Sequence, residues 1–406
     1  MYMNTKKVYI VAAKRTAIGK FLGTLASVQP VFLGVPVVKQ ILTDTKLNGS
    51  DIDEVIVGNI LMAGNKQGIA RQLAMYSGIS KEVPAYGINM ICGSGMKSVM
   101  QAYTEIVAGQ ANIVLAGGTE SMSTAAFVVQ GHTMRNGQKM GEFKVIDHMV
   151  LDGLTDAFSG SHMGITAENI AEQLTISRQS QDEFAYHSQQ KAIAAIDAGR
   201  FKDEIVPVTI PSKKGDTIFD TDEYPNRASS LEKLASLTPA FKKDGTVTAG
   251  NASGINDGAS FVLVASEEAV QKHGLTPLVE IIGIGQAGVD PAVMGLGPVP
   301  AIKKALQMAG KQLNEMEVLE LNEAFAAQSL GVMKLLTEEH HVSHEWLSER
   351  TNKNGGAIAL GHPIGASGNR IIVTLIHEML RSNNQLGLAS LCIGGGMGTA
   401  IILKKG

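Results

Sequence analysis

Short apolar runs alternate along much of this chain with longer segments of helical period. The runs that predict buried β-strands span residues 8–13, 54–59, 86–91 and 112–118. Apolar positions with the spacing of an amphipathic helix fill residues 67–79 and 94–109. This alternation is typical of strands in one sheet with helices packed over its faces. The N-terminal part is therefore predicted to be an α/β domain.

The alternation weakens in the middle of the chain and then returns. Turn-rich stretches such as MRNGQKMGEFK and PSKKGDT occupy this middle segment, although residues 166–201 within it predict helices. Apolar runs resume at residues 259–266 and 278–287, followed by a helical pattern over 299–310. The predicted units are an N-terminal half (1–124, continued by 250–277), an inserted loop domain (125–249) and a C-terminal half (278–406).

Two echoes within the sequence indicate an internal duplication. The stretches ANIVLAGGTESMS and LASLCIGGGMGTA each lead an apolar strand into consecutive glycines. Each half also opens on an apolar strand, near residues 8–13 and 278–284. Because the chain shows no short fixed period, the pattern predicts a domain repeated twice and not a solenoid.

Composition and charge exclude several classes of function. Of 406 residues, 44% are hydrophobic, and 35 basic against 38 acidic residues give a net charge of −3. Without a long run of Lys and Arg, we expect no nucleic acid and no membrane surface as partner. No apolar stretch reaches the roughly 20 residues that a spanning helix needs. The two cysteines fit neither a disulfide framework nor a metal site. Because this indicates a reducing compartment, we expect a cytoplasmic protein.

One of the two cysteines lies in the glycine-rich stretch NMICGSGMKSV. The preceding apolar run ends at Ile91, and the sequence after Cys92 predicts a helix, so Cys92 is expected at a helix N-terminus. Free backbone amides and the helix dipole there stabilise a thiolate, the nucleophilic form of cysteine. By itself this position leaves two interpretations open, a nucleophile and an inert buried thiol.

A second glycine-rich stretch, NGGAIALGHPIGASG, contains His362 between Gly361 and Pro363. A lone histidine is often structural, but a cysteine nucleophile needs a general base of this type. The other cysteine, Cys392 in LCIGGGMGTA, again follows an apolar strand and precedes glycines. A thiol there could exchange protons near neutral pH if its neighbours adjust its pKa.

Asn322 and Glu323 follow the apolar run VLEL in the stretch LNEAFAAQ. Taken alone, this position favours an amide that caps the next helix.

Together with AGGTESMS, HMGITAENIA and GTVTAGNASGINDGA, these stretches resemble the thiolases, and among them most closely the acetyl-CoA acetyltransferases. The resemblance runs in order along essentially the whole chain. It implies an α/β thiolase-like fold, in which two similar βαβαβαββ halves, each with a five-stranded sheet, are stacked in layers with an inserted loop domain. It also implies a homo-oligomer, either a dimer or a homotetramer.

The resemblance also assigns catalytic roles. Cys92 matches the family's nucleophile, His362 the base that activates it, and Cys392 the acid and base acting on the substrate's α-carbon. Asn322 matches the side chain that holds a water in one oxyanion hole, which it shares with His362. The backbone amides of Cys92 and Gly394 match the second oxyanion hole. No cofactor and no metal are implied, because coenzyme A (CoA) is a substrate and a product.

Further positions match the family's contacts to the pantetheine arm and acyl group. These residues are His162, Met163, Ala249, Ser253, Met294, Ala324 and Phe325.

Two segments depart from the family pattern. Many relatives have an arginine for the CoA nucleotide shortly after DEY, whereas this chain reads DEYPNRASS, so we expect that role to be displaced to Arg227. The chain is also longer at residues 337–353, where His340, His341 and His344 occur. We interpret that segment as a surface excursion and not as a metal site.

The activity implied by the resemblance is reversible Claisen condensation of two acetyl-CoA to acetoacetyl-CoA and CoA through an acetyl-cysteine. One alternative is a 3-ketoacyl-CoA thiolase for longer chains, which a rate profile across chain lengths would separate. A ketoacyl synthase shares the fold but usually pairs its cysteine with two histidines. A non-catalytic lipid carrier of the same fold usually lacks a catalytic residue, whereas all four are present here.

Overall fold

The computed structural model describes residues 6–406, so residues 1–5 of the predicted N-terminal half lie outside it. Within the described residues the strands are β1 (Val8–Thr16), β2 (Gly19–Lys20), β3 (Glu54–Gly58), β4 (Ala85–Ile88), β5 (Ile113–Ser121), β6 (Phe127–Val128), β7 (Ile146–Asp147), β8 (Ile205–Val206), β9 (Val208–Ile210), β10 (Thr217–Phe219), β11 (Asn256–Ser266), β12 (Val279–Gly288), β13 (Val318–Leu321), β14 (Leu386–Ile393) and β15 (Met397–Lys405).

The α-helices are α1 (Pro30–Thr45), α2 (Ile69–Ser77), α3 (Ser94–Ala108), α4 (Gly131–Asn136), α5 (Met163–Gln173), α6 (Arg178–Asp197), α7 (Leu231–Ser236), α8 (Glu267–His273), α9 (Pro298–Ala309), α10 (Ala326–His340), α11 (His344–Arg350), α12 (Ala357–Leu360) and α13 (Ile364–Ser382). Short 3₁₀ helices cover Pro291–Leu296 and Leu313–Glu315, and a π-helix covers Met149–Leu154.

The main strands run in the order β13-β14-β15-β12-β1-β11-β5-β3-β4. In the first half, β3 is parallel to β4 and β5, whereas β11 is antiparallel to β1 and β5. The second half repeats this order, with β12, β15, β14 and β13 in the places of β1, β11, β5 and β3. The internal duplication is therefore confirmed. The fifth strand of the second half is reduced to one parallel bridge between Leu319 and Thr351.

Helices pack on both faces of each half. Helices α1 and α2 cover one face of the strands of the first half, and α9 and α10 cover one face of the strands of the second half. Helices α3 and α13 pack against each other between these two sets of strands. Strands β5 and β11 are buried along their whole lengths, as expected for strands covered on both faces. The α/β architecture of two similar halves that the sequence predicted is confirmed.

The segment between β5 and β11 contains α5, α6 and small two-stranded pairs, β6 with β7 and β9 with β10. A buried ion cluster attaches it to β1. The Arg15 guanidinium donates to Glu204 at 2.6 Å and to both carboxylate oxygens of Asp222 at 2.7 and 2.9 Å. All three side chains are at most 1% exposed. Charges removed from water in this way depend on each other for stability.

Candidate active site

Both cysteines and His362 line one cavity of about 520 Å³. Residues of the inserted segment and of both halves contribute to its wall. Of the residues expected at the site, those that line it are Cys92, His162, Met163, Ala249, Ser253, Met294, Ala324, Phe325, His362, Cys392 and Gly394.

Cys92 occupies a tight turn between β4 and α3. The strand ends at Ile88 and not at Ile91, and the helix begins at Ser94, so Cys92 precedes the helix by two residues. Ile91 has φ +46°, a left-handed conformation that costs a β-branched residue energy. The Ser94 hydroxyl holds the turn by accepting from the Met90 amide at 2.8 Å and donating to the Ile91 carbonyl at 2.7 Å.

The turn must also approach the strand that carries the second cysteine. A Cβ atom at Gly93 would lie 2.3 Å from Cδ1 of Ile393, the residue after Cys392. Glycine at this position therefore lets the turn lie against the Ile393 side chain without displacing it.

The Cys92 thiol is protonated at neutral pH. Burial raises its pKa to about 11, although the backbone N–H groups of Gly394 and of Cys92 itself face the sulfur and lower it. The nearby Glu120 carboxylate adds a smaller upward effect. The sequence correctly predicted amides that favour the thiolate, but burial outweighs them. A nucleophilic role for Cys92 would therefore require a base.

His362 has the properties of that base. Burial, and then the positive charge of Arg370, lower its pKa to about 4, so the imidazole is neutral at physiological pH. Its Nδ1 lies 2.6 Å from the Ser367 hydroxyl, which itself donates to the Pro363 carbonyl at 2.9 Å. Because the hydroxyl has one proton, this arrangement places the ring proton on Nδ1. Nε2, which has no hydrogen-bond partner among residues 6–406, is left as the proton acceptor.

The main chain of the histidine loop is fixed by Asn256. Its Oδ1 accepts from the His362 amide at 2.8 Å, and its Nδ2 donates to the Gly19 carbonyl at 3.0 Å. Gly361 has φ +104°, and a Cβ atom there would lie 2.4 Å from Cγ of Asn256. The loop that presents the imidazole therefore requires glycine beside the histidine.

Cys392 lies near the end of β14 and is 1% exposed. Burial, and then the nearby Cys92, raise its pKa far above the usual value, so both thiols are neutral at rest. Neither cysteine forms a disulfide.

Asn322 does not line the cavity but directly follows β13, two residues before Ala324, which does. The backbone N–H of Asn322 donates to the Ser390 carbonyl on β14 at 3.0 Å. The side chain is 1% exposed, and neither its Oδ1 nor its Nδ2 has a hydrogen-bond partner in the part of the chain that the structure describes. Buried amides are normally satisfied, which makes Asn322 a candidate for contact with a reacting group.

The N-terminal thiolase domain model matches residues 8–268, and the C-terminal thiolase domain model matches residues 275–405. The chain belongs to the thiolase family.

Individual relatives of this thiolase cover nearly its whole length. The acetyl-CoA acetyltransferase of Pseudomonas aeruginosa is 51% identical over 98% of this chain and 99% of its own. The crystal structure of the Bacillus anthracis acetyl-CoA acetyltransferase matches with a TM-score of 0.94 and 42% identity over 99% of each chain. That of human mitochondrial 3-ketoacyl-CoA thiolase matches with a TM-score of 0.93 and 44% identity over 99% of each chain. Similarity of fold therefore does not separate acetyl-CoA acetyltransferases from 3-ketoacyl-CoA thiolases.

In the cavity wall, the inserted segment supplies Phe241, an aromatic residue that the sequence did not reveal. Phe241 stacks on His162 with ring centroids 4.6 Å apart and meets Phe325 edge-on at 6.2 Å. Burial lowers the pKa of His162, so this ring too is uncharged at neutral pH. Tyr224, in the DEY motif, also lines the cavity. Aromatic residues within a turn-rich segment could have indicated this wall.

Arg227 does not line the cavity. Its guanidinium pairs with both carboxylate oxygens of Asp197, the last residue of α6, at 2.5 and 3.0 Å. Both side chains are more than half exposed.

Glu120 is a buried carboxylate that sequence reasoning missed. It lies on β5 next to the cysteine turn and accepts from the backbone amides of Ile60, Leu61 and Gly365 at 3.0 to 3.2 Å. Burial raises its pKa to about 7 against the opposing effect of these amides. It therefore connects the loop after β3 to the segment that follows His362.

The longer segment at residues 337–353 forms the end of α10 and helix α11. His341 and His344 are exposed, whereas Leu347 packs into the core. Within residues 6–406 there is no group of three or more His, Cys, Asp or Glu side chains arranged to hold a metal. Over the same residues, no helix combines the length and apolar character needed to cross a membrane.

Proposed function

We propose that this thiolase is an acetyl-CoA C-acetyltransferase, which catalyses the reversible condensation of two acetyl-CoA to acetoacetyl-CoA and CoA. The observation that carries the proposal is the meeting of Cys92, His362 and Cys392 in one cavity. Relatives of about 51% identity that bear this name support the choice of substrate. CoA acts as substrate and product, and no cofactor is proposed.

In the cleavage direction, Nε2 of His362 takes the proton of Cys92 as the sulfur attacks the ketone carbon of acetoacetyl-CoA. Because the pKa values are about 11 and about 4, the resting pair is neutral and charge develops only during attack. Donors fixed in advance stabilise such charge more than water does, since they need no reorganisation.

Two sets of donors serve two different oxyanions in this proposal. The amides of Cys92 and Gly394, which already face the sulfur, stabilise the oxyanion formed on the acyl group. Asn322, through a water and together with His362, stabilises the enolate oxygen of the departing acetyl-CoA. The unpaired buried amide of Asn322 supports this role.

Cys392 donates its proton to the α-carbon of that enolate as the carbon–carbon bond breaks. Free CoA then removes the acetyl group from Cys92. In the condensation direction Cys392 takes a proton from the methyl group of a second acetyl-CoA, whose enolate attacks acetyl-Cys92. An acyl-enzyme shared by two half-reactions implies ping-pong kinetics.

The cavity wall is compatible with a small acyl group. Met163, Met294 and Phe325 are each at most 8% exposed and pack with Cys392 in one apolar cluster. We propose that they exclude longer chains. A 3-ketoacyl-CoA thiolase of broader range stays the alternative, because the human mitochondrial enzyme is 44% identical to this chain.

The test is CoA-dependent cleavage of acetoacetyl-CoA beside that of a ketoacyl-CoA of about eight to ten carbons. Strong activity on the short substrate alone would support the proposal, whereas comparable activity on both would favour the broad-chain enzyme. Activity on neither would favour a non-catalytic lipid carrier. Cys92→Ala is the control, because it removes the sulfur without removing the cavity.

We further propose a homo-oligomer, either a dimer or a tetramer, in the cytoplasm. Exposed apolar side chains between β5 and α5 support an interface, since Phe127, Met140 and Phe158 are 67%, 87% and 76% exposed. Two free thiols, both required by the mechanism, support a reducing compartment.

A further inference from the structure

The cavity has one charged side chain in its lining. Among the described residues that line it, the only Lys or Arg is Lys20, and none is Asp or Glu. Both lining histidines, His162 and His362, have pKa values lowered by burial. At neutral pH the fixed charge of the lining is therefore the single positive charge of Lys20.

Lys20 belongs to the exposed part of the cavity lining, and Cys392 belongs to its buried part. Lys20 is exposed and its neighbour Phe21 is 39% exposed, whereas Cys392 is 1% exposed. The pantetheine arm separates the thiol of CoA from its phosphates. A thiol at the buried end therefore directs the phosphates towards the open end.

The backbone of Lys20 is held by the DEY motif of the inserted segment. Oε1 of Glu223 accepts from the amides of Lys20 and Thr24 at 2.9 and 3.0 Å, and Oε2 accepts from the Thr24 hydroxyl at 2.8 Å. The Glu223 carboxylate is thus engaged by the turn. Within residues 6–406 the Lys20 ammonium has no ion-pair partner within 4.0 Å.

The other cations near this segment are less suited to the role. Arg227 pairs with Asp197 and does not line the cavity, and Lys242 pairs with Glu172 at 3.0 Å. Lys243 is exposed and adjacent in sequence, but it also does not line the cavity.

We propose that Lys20 binds the phosphate groups of CoA at the open end of the catalytic cavity, in the role that the sequence assigned to Arg227. This inference rests on the proposed function, because it takes CoA as the substrate. It adds a charge contact that acts on the nucleotide end of CoA and not on the reacting thioester.

The experiment tests the contact to the phosphates of CoA independently of the reaction of its thiol. Acetoacetyl-pantetheine serves as acyl donor throughout, and the acceptor is CoA, dephospho-CoA or pantetheine. Because the acyl-enzyme separates the half-reactions, kcat/KM for the acceptor reports only the step in which that acceptor binds and reacts. Pantetheine has no phosphate and therefore measures everything except the proposed contact.

For Lys20→Met we expect kcat/KM with CoA to fall about 3- to 10-fold, mainly through KM, because exposed charge pairs contribute modestly. With pantetheine the variant should match the wild-type protein, and Lys20→Arg should restore the value with CoA. Raising the salt concentration should reduce the ratio of kcat/KM with CoA to kcat/KM with pantetheine in the wild-type protein. In Lys20→Met the same ratio should not change. Dephospho-CoA shows whether the contact is to the diphosphate or to the 3′-phosphate.

Lys243→Met and Arg227→Met are the matched controls, since each removes one exposed cation near the cavity. We expect both to keep the wild-type preference for CoA over pantetheine. The assignment would be overturned if Lys20→Met lowered kcat/KM equally with CoA and with pantetheine. It would also be overturned if a control variant, and not Lys20→Met, lost the preference for CoA over pantetheine. Absence of turnover by the wild-type protein with acetoacetyl-CoA as donor and CoA as acceptor would refute the proposed function instead.

Discussion

Removing the Ser367 hydroxyl should slow catalysis while leaving the fold intact. Ser367 is 1% exposed, and its oxygen is 2.6 Å from Nδ1 of His362 and 2.9 Å from the Pro363 carbonyl. In the proposed mechanism His362 takes the Cys92 proton, after which both ring nitrogens carry hydrogen and Nδ1–H needs an acceptor. In Ser367→Ala that acceptor is lost and the imidazolium is harder to form.

The magnitude follows from the cost of an unpaired buried donor. That cost is roughly 1–3 kcal/mol, which corresponds to a roughly 5- to 150-fold fall in rate if it appears fully in the transition state. Burial and Arg370 already lower the pKa of His362 to about 4. Loss of the acceptor for Nδ1–H lowers that pKa further, because the imidazolium loses a hydrogen bond. The effect of the variant should appear in kcat for cleavage of acetoacetyl-CoA and not in KM.

Ser98→Ala is the matched control. Its hydroxyl is also buried, but it donates to the carbonyls of Gly95 and Gly117 at 2.8 and 2.9 Å and contacts no catalytic group. We expect Ser98→Ala to keep the wild-type kcat, with the Tm of both variants measured alongside. A kcat for Ser367→Ala within about twofold of the wild-type value would refute the role given to the hydroxyl.

Three further predictions concern the thiol, the turn and the buried ion cluster. Because burial raises the pKa of Cys92 to about 11, its alkylation by iodoacetamide should accelerate about tenfold per pH unit between pH 7 and 9; a plateau near neutral pH would contradict the neutral resting pair. Gly93→Ala should slow thiolysis and lower the Tm, because its Cβ would lie 2.3 Å from Cδ1 of the fully buried Ile393, whose side chain must then shift beside Cys392. Gly131→Ala, which meets only the flexible end of Arg135, should change neither quantity. Arg15→Met should reduce the free energy of unfolding by about 3–5 kcal/mol in urea titrations, since it removes the cation that pairs with the buried Glu204 and Asp222 carboxylates. A loss below about 1 kcal/mol would contradict that dependence.

Much of the fold follows from the sequence because the apolar runs correspond closely to buried strands. The helix predicted at residues 94–109 spans Ser94–Ala108, and the echo between the two glycine-rich strands corresponds to equivalent places in the two halves. The strand predicted to reach Ile91 ends at Ile88, because the turn before Cys92 takes apolar residues out of the sheet. Hydrophobicity alone does not distinguish a strand from an apolar turn beside it.

The candidate site was predictable where its residues are chemically distinctive and not where their roles depend on neighbours distant in sequence. Cysteines and a histidine among glycines identified the cavity. The partner of Arg227 is Asp197 on α6, and no local pattern shows that pairing. The pKa values of Cys92 and His362 likewise depend on burial by both halves and the inserted segment, which spacing does not reveal.

The central claim is that Cys92 receives an acetyl group while Cys392 exchanges protons with the α-carbon. Mass spectrometry of the wild-type protein and of Cys392→Ala after incubation with acetyl-CoA tests it most directly. If the proposed mechanism is correct, both proteins gain the mass of one acetyl group on the peptide containing Cys92, and only the wild-type protein forms acetoacetyl-CoA. An acetyl group on another residue, or condensation by Cys392→Ala at the wild-type rate, would contradict it.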